Sequence, residues 1–175
     1  MNILVCTVAR SGSNWFRDEL VLRGYPECSE WYHPTQLTYS GQREYRFKQA
    51  LLEGKDFGSK LFPEHVQKYG GLNKLSSDLK KNSPTVFIRL KRDDYEAQAL
   101  SWAGANIKKS WFESTQKYAT NQDKVDQFLG RIIRSNKWWD KQLATREHYF
   151  VSYEKMKEDS ATTIAGVVDY IESKR

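Results

Sequence analysis

The first 24 residues place a short apolar run, a loop of small residues and an amphipathic helical segment one after another. Residues 3–8 are apolar and rich in β-branched side chains, which is typical of a buried strand. Residues 9–13 break that pattern, and apolar side chains then recur at helical spacing until Gly24 ends the helix. Strand, loop and helix in this order begin a βαβ unit, so the sequence predicts an α/β protein.

The same alternation continues to the end of the chain. After a predicted loop at 25–41, strands are predicted at 56–61, 85–90 and 148–152. Helices are predicted at 42–54, 64–81, 93–109, 122–145 and 158–173. Gly70 and Gly71 favour a division of the 64–81 segment into two short helices. Strands that alternate with helices in this way favour a mostly parallel sheet flanked by helices on both faces.

Length and composition limit the possible classes of function. The 175 residues predict one domain, 1–175, and the net charge of +6 suits an anionic ligand. The basic residues are spread along the chain, so we expect no nucleic-acid partner. We expect no membrane span and no signal peptide, and therefore a cytoplasmic protein. Cys6 and Cys28 have no metal-ligand spacing, so two free thiols and no metal are expected.

The loop after the first predicted strand carries the first candidate site. We call residues 10–14 the anion loop; its sequence is Arg10-Ser11-Gly12-Ser13-Asn14. Backbone N–H groups bind anions where a loop enters a helix, and small residues let the backbone approach the ligand. Arg10 adds a guanidinium that is able to bind two oxygens of one anion. The nucleotide-triphosphatase pattern G-x-x-x-x-G-K-[ST] and the dinucleotide pattern G-x-G-x-x-G are absent, and an ordinary capped turn is the alternative.

The second candidate site follows the strand at 85–90. Arg89, Lys91 and Arg92 lie at the end of this strand, and Gln98 and Ser101 follow on the next predicted helix. Taken alone, the three cations would be solvated groups at a strand end. The spacing from Arg92 to Ser101 fits contact with one phosphate only if the ligand lies along the start of the helix.

Together these segments resemble the sulfotransferase family. Residues 8–15 resemble its 5′-phosphosulfate loop, and residues 90–101 resemble its 3′-phosphate motif, with the spacing Arg-x-Asp-x-x-x-Gln-Ala-x-Ser closest to the bacterial trehalose sulfotransferase-like group. That group also has a Gly-x-Lys-Leu strand like residues 58–61, a Trp where Trp111 stands, and an end like residues 149–156. The four motifs occur in the family's order between residues 3 and 171.

The resemblance implies a P-loop-NTPase-like three-layer fold and the co-substrate 3′-phosphoadenosine 5′-phosphosulfate, without a metal. By resemblance, the anion loop and Trp15 would bind the 5′-phosphosulfate, and Arg92 and Ser101 would bind the 3′-phosphate. Ala9 replaces the usual Pro and Asn14 the usual Thr, and the Gly-rich carboxyl-terminal nucleotide segment of many eukaryotic enzymes is missing. These departures leave open a nucleotide-binding protein of the same fold without turnover. A P-loop kinase is disfavoured, because the Gly-Lys-Ser/Thr pattern is missing.

The resemblance also suggests a catalytic base. The Glu-aromatic-aromatic stretch of the family matches Glu30-Trp31-Tyr32, so Glu30 is the candidate general base and Arg10 the cation that stabilises charge on the sulfuryl group. Glu27 and His33 are rival bases in the same loop. Lys60 is placed either in the same crevice at a strand end or in solvent. The following side chains are candidates for an acceptor pocket for a small molecule or glycan: Trp31, Tyr32, His33, Tyr39, Lys60, Trp102 and Trp111.

Overall fold

The structure is a computed structural model, and it describes residues 1–30, 47, 49, 52–81, 83–108 and 121–175. The strands are β1 (Asn2–Cys6), β2 (Ser29–Glu30), β3 (Phe57–Leu61), β4 (Thr85–Lys91) and β5 (Tyr149–Ser152). The helices are α1 (Ser13–Val21), α2 (Pro63–Tyr69), α3 (Leu72–Lys80), α4 (Tyr95–Lys108), α5 (Gln122–Leu143), α6 (Tyr153–Glu158) and α7 (Ser160–Glu172).

The five described strands form one parallel sheet in the order β2-β3-β1-β4-β5. Strand β1 is central, and all five of its residues are buried, as expected of a parallel strand covered on both faces. Leu4 and Cys6 pack into one core with helices α2 to α5, whereas Ile3 and Val5 pack into a second core with α1, α6 and α7. The three-layer α/β fold is therefore confirmed.

Most predicted elements are present, with boundaries that moved by a few residues. The 64–81 segment is two helices, because Gly70 and Gly71 adopt left-handed φ angles of 105° and 99° that end one helix and begin the next. The predicted loop at 25–41 contains the two-residue strand β2 within its described part. Of the predicted helix 42–54, residues 47, 49, 52 and 53 are described as helical, and Gly54 follows them.

The predicted last helix over 158–173 is confirmed as α7, which begins two residues later, but the short helix α6 before it was not predicted. The strand β5 leads directly into the short helix α6, and α7 begins only after Asp159. Asp159 is not helical, with φ −142° and ψ 89°, and its side chain accepts a hydrogen bond from the backbone N–H of Thr162. Asp159 therefore acts as an N-cap that interrupts the helical pattern, as short acidic side chains commonly do. Among the described helices, none is long and apolar enough to cross a membrane.

Arg89 is buried, so the alternative of a solvated strand end is wrong for this residue. Its side chain is 2% exposed and donates hydrogen bonds to the carbonyl oxygens of Cys6 and Leu90. It also donates to Asn136 Oδ1 at 2.5 Å and lies 3.6 Å from Asp140 Oδ1, both on α5. Burial of a cation is tolerated where it is paired and hydrogen-bonded in this way. Arg89 thus joins the sheet to α5.

Both cysteines are fully buried, and burial raises the pKa of each thiol to about 12 from an ordinary value of 9.0. The thiolate is the reactive form, so we expect a thiol reagent at pH 8 to label the folded protein at least ~100-fold more slowly than the unfolded chain.

The raised thiol pKa values also predict a pH dependence of stability. Because the pKa values are higher in the folded protein than in the unfolded chain, the free energy of unfolding should fall as pH rises from about 9 to about 12. Mass spectrometry of each labelled cysteine and denaturant titrations at pH 8 and 10.5 measure both effects, and rapid labelling of either thiol in the folded state would contradict the first.

Candidate functional site

The candidate residues gather at the carboxyl edge of the sheet. From β1 the chain runs through α1 to β2 on one side of the sheet, and from β4 it runs through α4 and α5 to β5 on the other side. A crevice outside the strand ends is the usual ligand site at such a switch point. The anion loop follows β1, Arg92 follows β4, and Lys60 and Glu30 lie at the ends of β3 and β2. Four strand ends therefore contribute side chains to one edge.

The anion loop adopts the backbone conformation expected of an anion-binding turn. Arg10 and Gly12 have left-handed φ angles of 65° and 84°, and Gly12 is the N-cap of α1. Left-handed residues in a turn direct successive N–H groups toward a common point, where an anion binds. Ser11 is buried, and its hydroxyl shares a 2.5 Å hydrogen bond with Thr7 Oγ1. Trp139 Nε1 donates a 2.8 Å hydrogen bond to the Thr7 carbonyl, and this bond fixes the chain at the end of β1.

Gly12 and Gly24 form a matched pair for a stability test. Both have left-handed φ angles, 84° and 80°, so an alanine is strained at either position. A Cβ at Gly12 would lie 2.4 Å from Tyr153 Cδ2, whereas a Cβ at Gly24 would meet nothing within 4 Å. We expect Gly24→Ala to lower the free energy of unfolding by about 1 kcal/mol and Gly12→Ala by about 2–4 kcal/mol. Urea denaturation measures the difference, and equal losses would contradict the tight packing of Tyr153 on the loop.

Helix α4 holds the anion loop through two buried side chains. Gln98 donates from Nε2 to the Ala9 carbonyl at 2.7 Å, and Ser101 Oγ accepts from Arg10 Nε at 2.8 Å. Gln98 and Ser101 are three residues apart, so they lie on one face of the helix. The family pattern would assign Arg10 and Ser101 to different phosphate groups. The structure brings them into direct contact and makes the two motifs one site.

Arg92 lies beside Arg10 at this edge. Its guanidinium lies 4.9 Å from the centre of the Tyr153 ring, and its Nε is buried without a hydrogen-bond partner among the described residues. Burial lowers the pKa of Arg10 below its ordinary value, and the nearby Arg92 charge lowers it further. Two like charges and an unsatisfied buried donor cost free energy that a bound anion would offset. The pair is therefore suited to a multiply charged anion.

A second group of polar side chains lies on the β3 side of the loop. Lys60 is only 4% exposed, so the alternative of a solvated side chain is wrong. Its ammonium donates to Asn14 Oδ1 at 2.6 Å and lies 3.7 Å from Glu30 Oε1. Parallel pairing of β2 with β3 places Glu30 directly opposite Lys60. A carboxylate and an ammonium thus stand next to the first turn of α1.

Other predicted residues have different surroundings. Trp15 Nε1 donates to Glu19, and the Trp15 ring packs edge-on to Tyr153. Trp102 is buried in the core and stacks on Phe128 at 4.8 Å, so its assignment to an acceptor pocket is wrong. Glu27 is exposed and accepts a hydrogen bond from the Ser29 hydroxyl. The remaining acceptor candidates lie outside the described residues: Trp31, Tyr32, His33, Tyr39 and Trp111.

Two residues of the site had no predicted role in ligand binding, Tyr153 and Glu154. Tyr153 packs against Gly12 and Arg92, and Glu154 accepts hydrogen bonds from the backbone N–H groups of Asp93 and Asp94. Two sequence signals included them: their position directly after a strand, and their place in segment 149–156, which resembles the end of the family.

No protein-family model and no curated protein matches this chain. Within the described ranges, no group of three or more His, Cys, Asp or Glu side chains is arranged to hold a metal ion.

Proposed function

We propose that this protein is a sulfotransferase that moves a sulfuryl group from 3′-phosphoadenosine 5′-phosphosulfate to a hydroxyl of a carbohydrate, lipid or small metabolite. The observation that carries the proposal is the contact between the two motifs at the switch point. Arg10 of the anion loop bonds to Ser101 of α4 at 2.8 Å, with Arg92 beside it. A donor with phosphate groups at two positions of one ribose requires two cationic loops close together. The anion loop and the turn that carries Arg92 are two such loops at this edge, and we call them the cationic loops.

In the proposed complex, each loop has its own part of the donor. The anion loop, with Ser11, Ser13 and the start of α1, would hold the 5′-phosphosulfate. Arg92 and Ser101 would hold the 3′-phosphate, and the unsatisfied Arg92 Nε provides one donor for it. Arg10, which touches Ser101, would bridge the two halves and neutralise charge at the transferred group. Asn14 would help to hold the 5′-phosphosulfate at the end of the loop, while its amide oxygen accepts a hydrogen bond from Lys60.

The proposed reaction is an in-line displacement at sulfur. The acceptor oxygen forms a bond to sulfur as the bond between sulfur and the 5′-phosphate oxygen breaks, and adenosine 3′,5′-bisphosphate leaves. The acceptor proton passes to the Glu30 carboxylate, which acts as general base. Lys60 lies 3.7 Å from that carboxylate and would favour its ionised form, which is the form that accepts a proton. Most of the rate enhancement comes from positioning and from charge stabilisation, as in phosphoryl transfer.

One observation favours a second candidate, a nucleotide-binding protein of the same fold that does not turn over. Glu30 is already close to a buried ammonium, and that ammonium is bound to Asn14 at the position where the family usually has Thr. If this arrangement persists with donor bound, the carboxylate is held away from an acceptor hydroxyl. Donor binding would then be retained without transfer.

Calorimetry and a transfer assay test both candidates. We expect adenosine 3′,5′-bisphosphate to bind at least ~10-fold more tightly than ATP with Mg²⁺, because the site has two cationic loops and lacks the P-loop Lys and Ser/Thr. Transfer of labelled sulfate from the donor to a panel of hydroxyl acceptors then separates enzyme from binding protein. Bisphosphate binding without transfer to any acceptor would favour the second candidate, and preferential ATP binding would overturn both.

A further inference from the structure

We propose that Glu154 is a positioning residue that makes the site selective for nucleotides with a 3′-phosphate, by fixing the turn that carries Arg92. This inference rests on the proposed donor site. It assigns a role to the corner between β5 and α6, which we call the 152–154 corner (Ser152, Tyr153 and Glu154).

The Glu154 carboxylate binds the backbone directly after Arg92. The Asp93 N–H lies 3.2 Å from Oε1 and 3.1 Å from Oε2, and the Asp94 N–H lies 3.3 Å from Oε1. The Ser152 hydroxyl donates to Oε2 at 3.0 Å. Partial burial would raise the pKa of Glu154, but these hydrogen bonds outweigh it and hold the pKa below its usual range. The carboxylate therefore stays ionised and fixes the peptide groups that follow Arg92.

Tyr153 extends the same corner to the anion loop. The Tyr153 ring lies 4.9 Å from the Arg92 guanidinium carbon, and it packs so closely on Gly12 that a Cβ there would overlap it. The corner thus touches both cationic loops, and Glu154 sets the backbone of one of them while Tyr153 supports the side chain.

The backbone amides at the start of α4 explain why the Arg92 side chain has to bind the 3′-phosphate. The N–H groups of Asp93 and Asp94 are bound by Glu154, and the Ala97 N–H is bound by Asp94 Oδ1 at 2.8 Å. A phosphate that approached this helix start would find these amides already satisfied and a carboxylate beside them. Selection of a 3′-phosphate therefore depends on the side chains of Arg92 and Ser101, and the position of Arg92 depends on Glu154.

The test compares Glu154→Gln with Glu158→Gln, an exposed residue of the same helix that loses the same charge. Calorimetry gives the dissociation constants for adenosine 3′,5′-bisphosphate and for adenosine 5′-monophosphate, which lacks the 3′-phosphate. We expect Glu154→Gln to reduce the preference for the bisphosphate about 10-fold, with binding of the monophosphate changed less than ~2-fold. Glu158→Gln should keep the wild-type preference. In an Arg92→Ala background, Glu154→Gln should not reduce the preference further, because Glu154 acts on the 3′-phosphate only through Arg92.

Each outcome separates this inference from the proposed function. Wild-type protein that does not prefer the bisphosphate would overturn the donor site and the role of Glu154 together. Wild-type protein that prefers it, with an unchanged preference in Glu154→Gln, would overturn only the role of Glu154. A loss of affinity for both nucleotides by the same factor would also overturn it, since that indicates general loosening of the fold. If Glu154→Gln does not fold, Ser152→Ala removes one hydrogen bond to the same carboxylate and should lower the same preference by a smaller factor.

Discussion

We expect Glu30→Gln to lower the rate of sulfuryl transfer about 10³-fold while the affinity for adenosine 3′,5′-bisphosphate stays within ~2-fold of wild type. Glutamine keeps the size of the side chain but accepts no proton from the acceptor hydroxyl. Glu30 lies at the end of β2, on the Lys60 side of the anion loop, whereas Arg10 and Arg92 hold the nucleotide phosphates in the proposed complex. The measurement is single-turnover transfer of labelled sulfate together with calorimetry.

Two matched variants identify the base if Glu30 is not it. Glu27 lies in the same segment and is exposed, so Glu27→Gln should leave transfer within ~2-fold of wild type. His33→Asn tests the third candidate base. Full activity in Glu30→Gln with a large loss in either of the other variants would transfer the role of base to that residue. Full activity in all three would exclude general base catalysis by this segment.

The second large effect is expected for Arg10→Ala. We expect the dissociation constant for the bisphosphate to rise about 30–100-fold, since a charge-assisted hydrogen bond to a phosphate contributes roughly 1.5–3 kcal/mol. Transfer should fall about 10³-fold, because the same guanidinium would stabilise charge that develops in the transition state. Arg23→Ala is the control, since this exposed arginine lies beyond the end of α1 and pairs with Glu19.

Thermal stability distinguishes a ligand-binding Arg10 from a structural one. Burial and the neighbouring Arg92 lower the pKa of Arg10, which means that its charged form is less favourable in the folded protein than in the unfolded chain. Removing that charge should therefore leave the melting temperature of the ligand-free protein unchanged or raise it. At the same ligand concentration, the bisphosphate should raise the melting temperature of the variant less than that of wild-type protein. A large drop in melting temperature without ligand would show that Arg10 holds the loop together instead.

The structure also explains which sequence predictions were accurate. Predicted strands and helices were confirmed where an apolar pattern ran over a whole element, as in β4 and α5, because one face or both faces of such an element must be buried. The short helix α6 and the N-cap at Asp159 that separates it from α7 were missed, since a short polar side chain in an otherwise helical pattern signals an N-cap only in its folded context. Buried Arg89 was missed for a similar reason, because its partner Asn136 is 47 residues away.

The sequence by itself determined the α/β fold and the position of the candidate loop. The order of strand, small-residue loop and helix is local, and a parallel sheet then places every loop that follows a strand at one edge. Only the tertiary structure decided which side chains meet there. The Arg10–Ser101 contact joins residues 91 positions apart, the Lys60–Asn14 contact spans 46, and the contact of Glu154 with the turn after Arg92 spans about 60. Such contacts depend on strand order and register, which have no local signal in the chain.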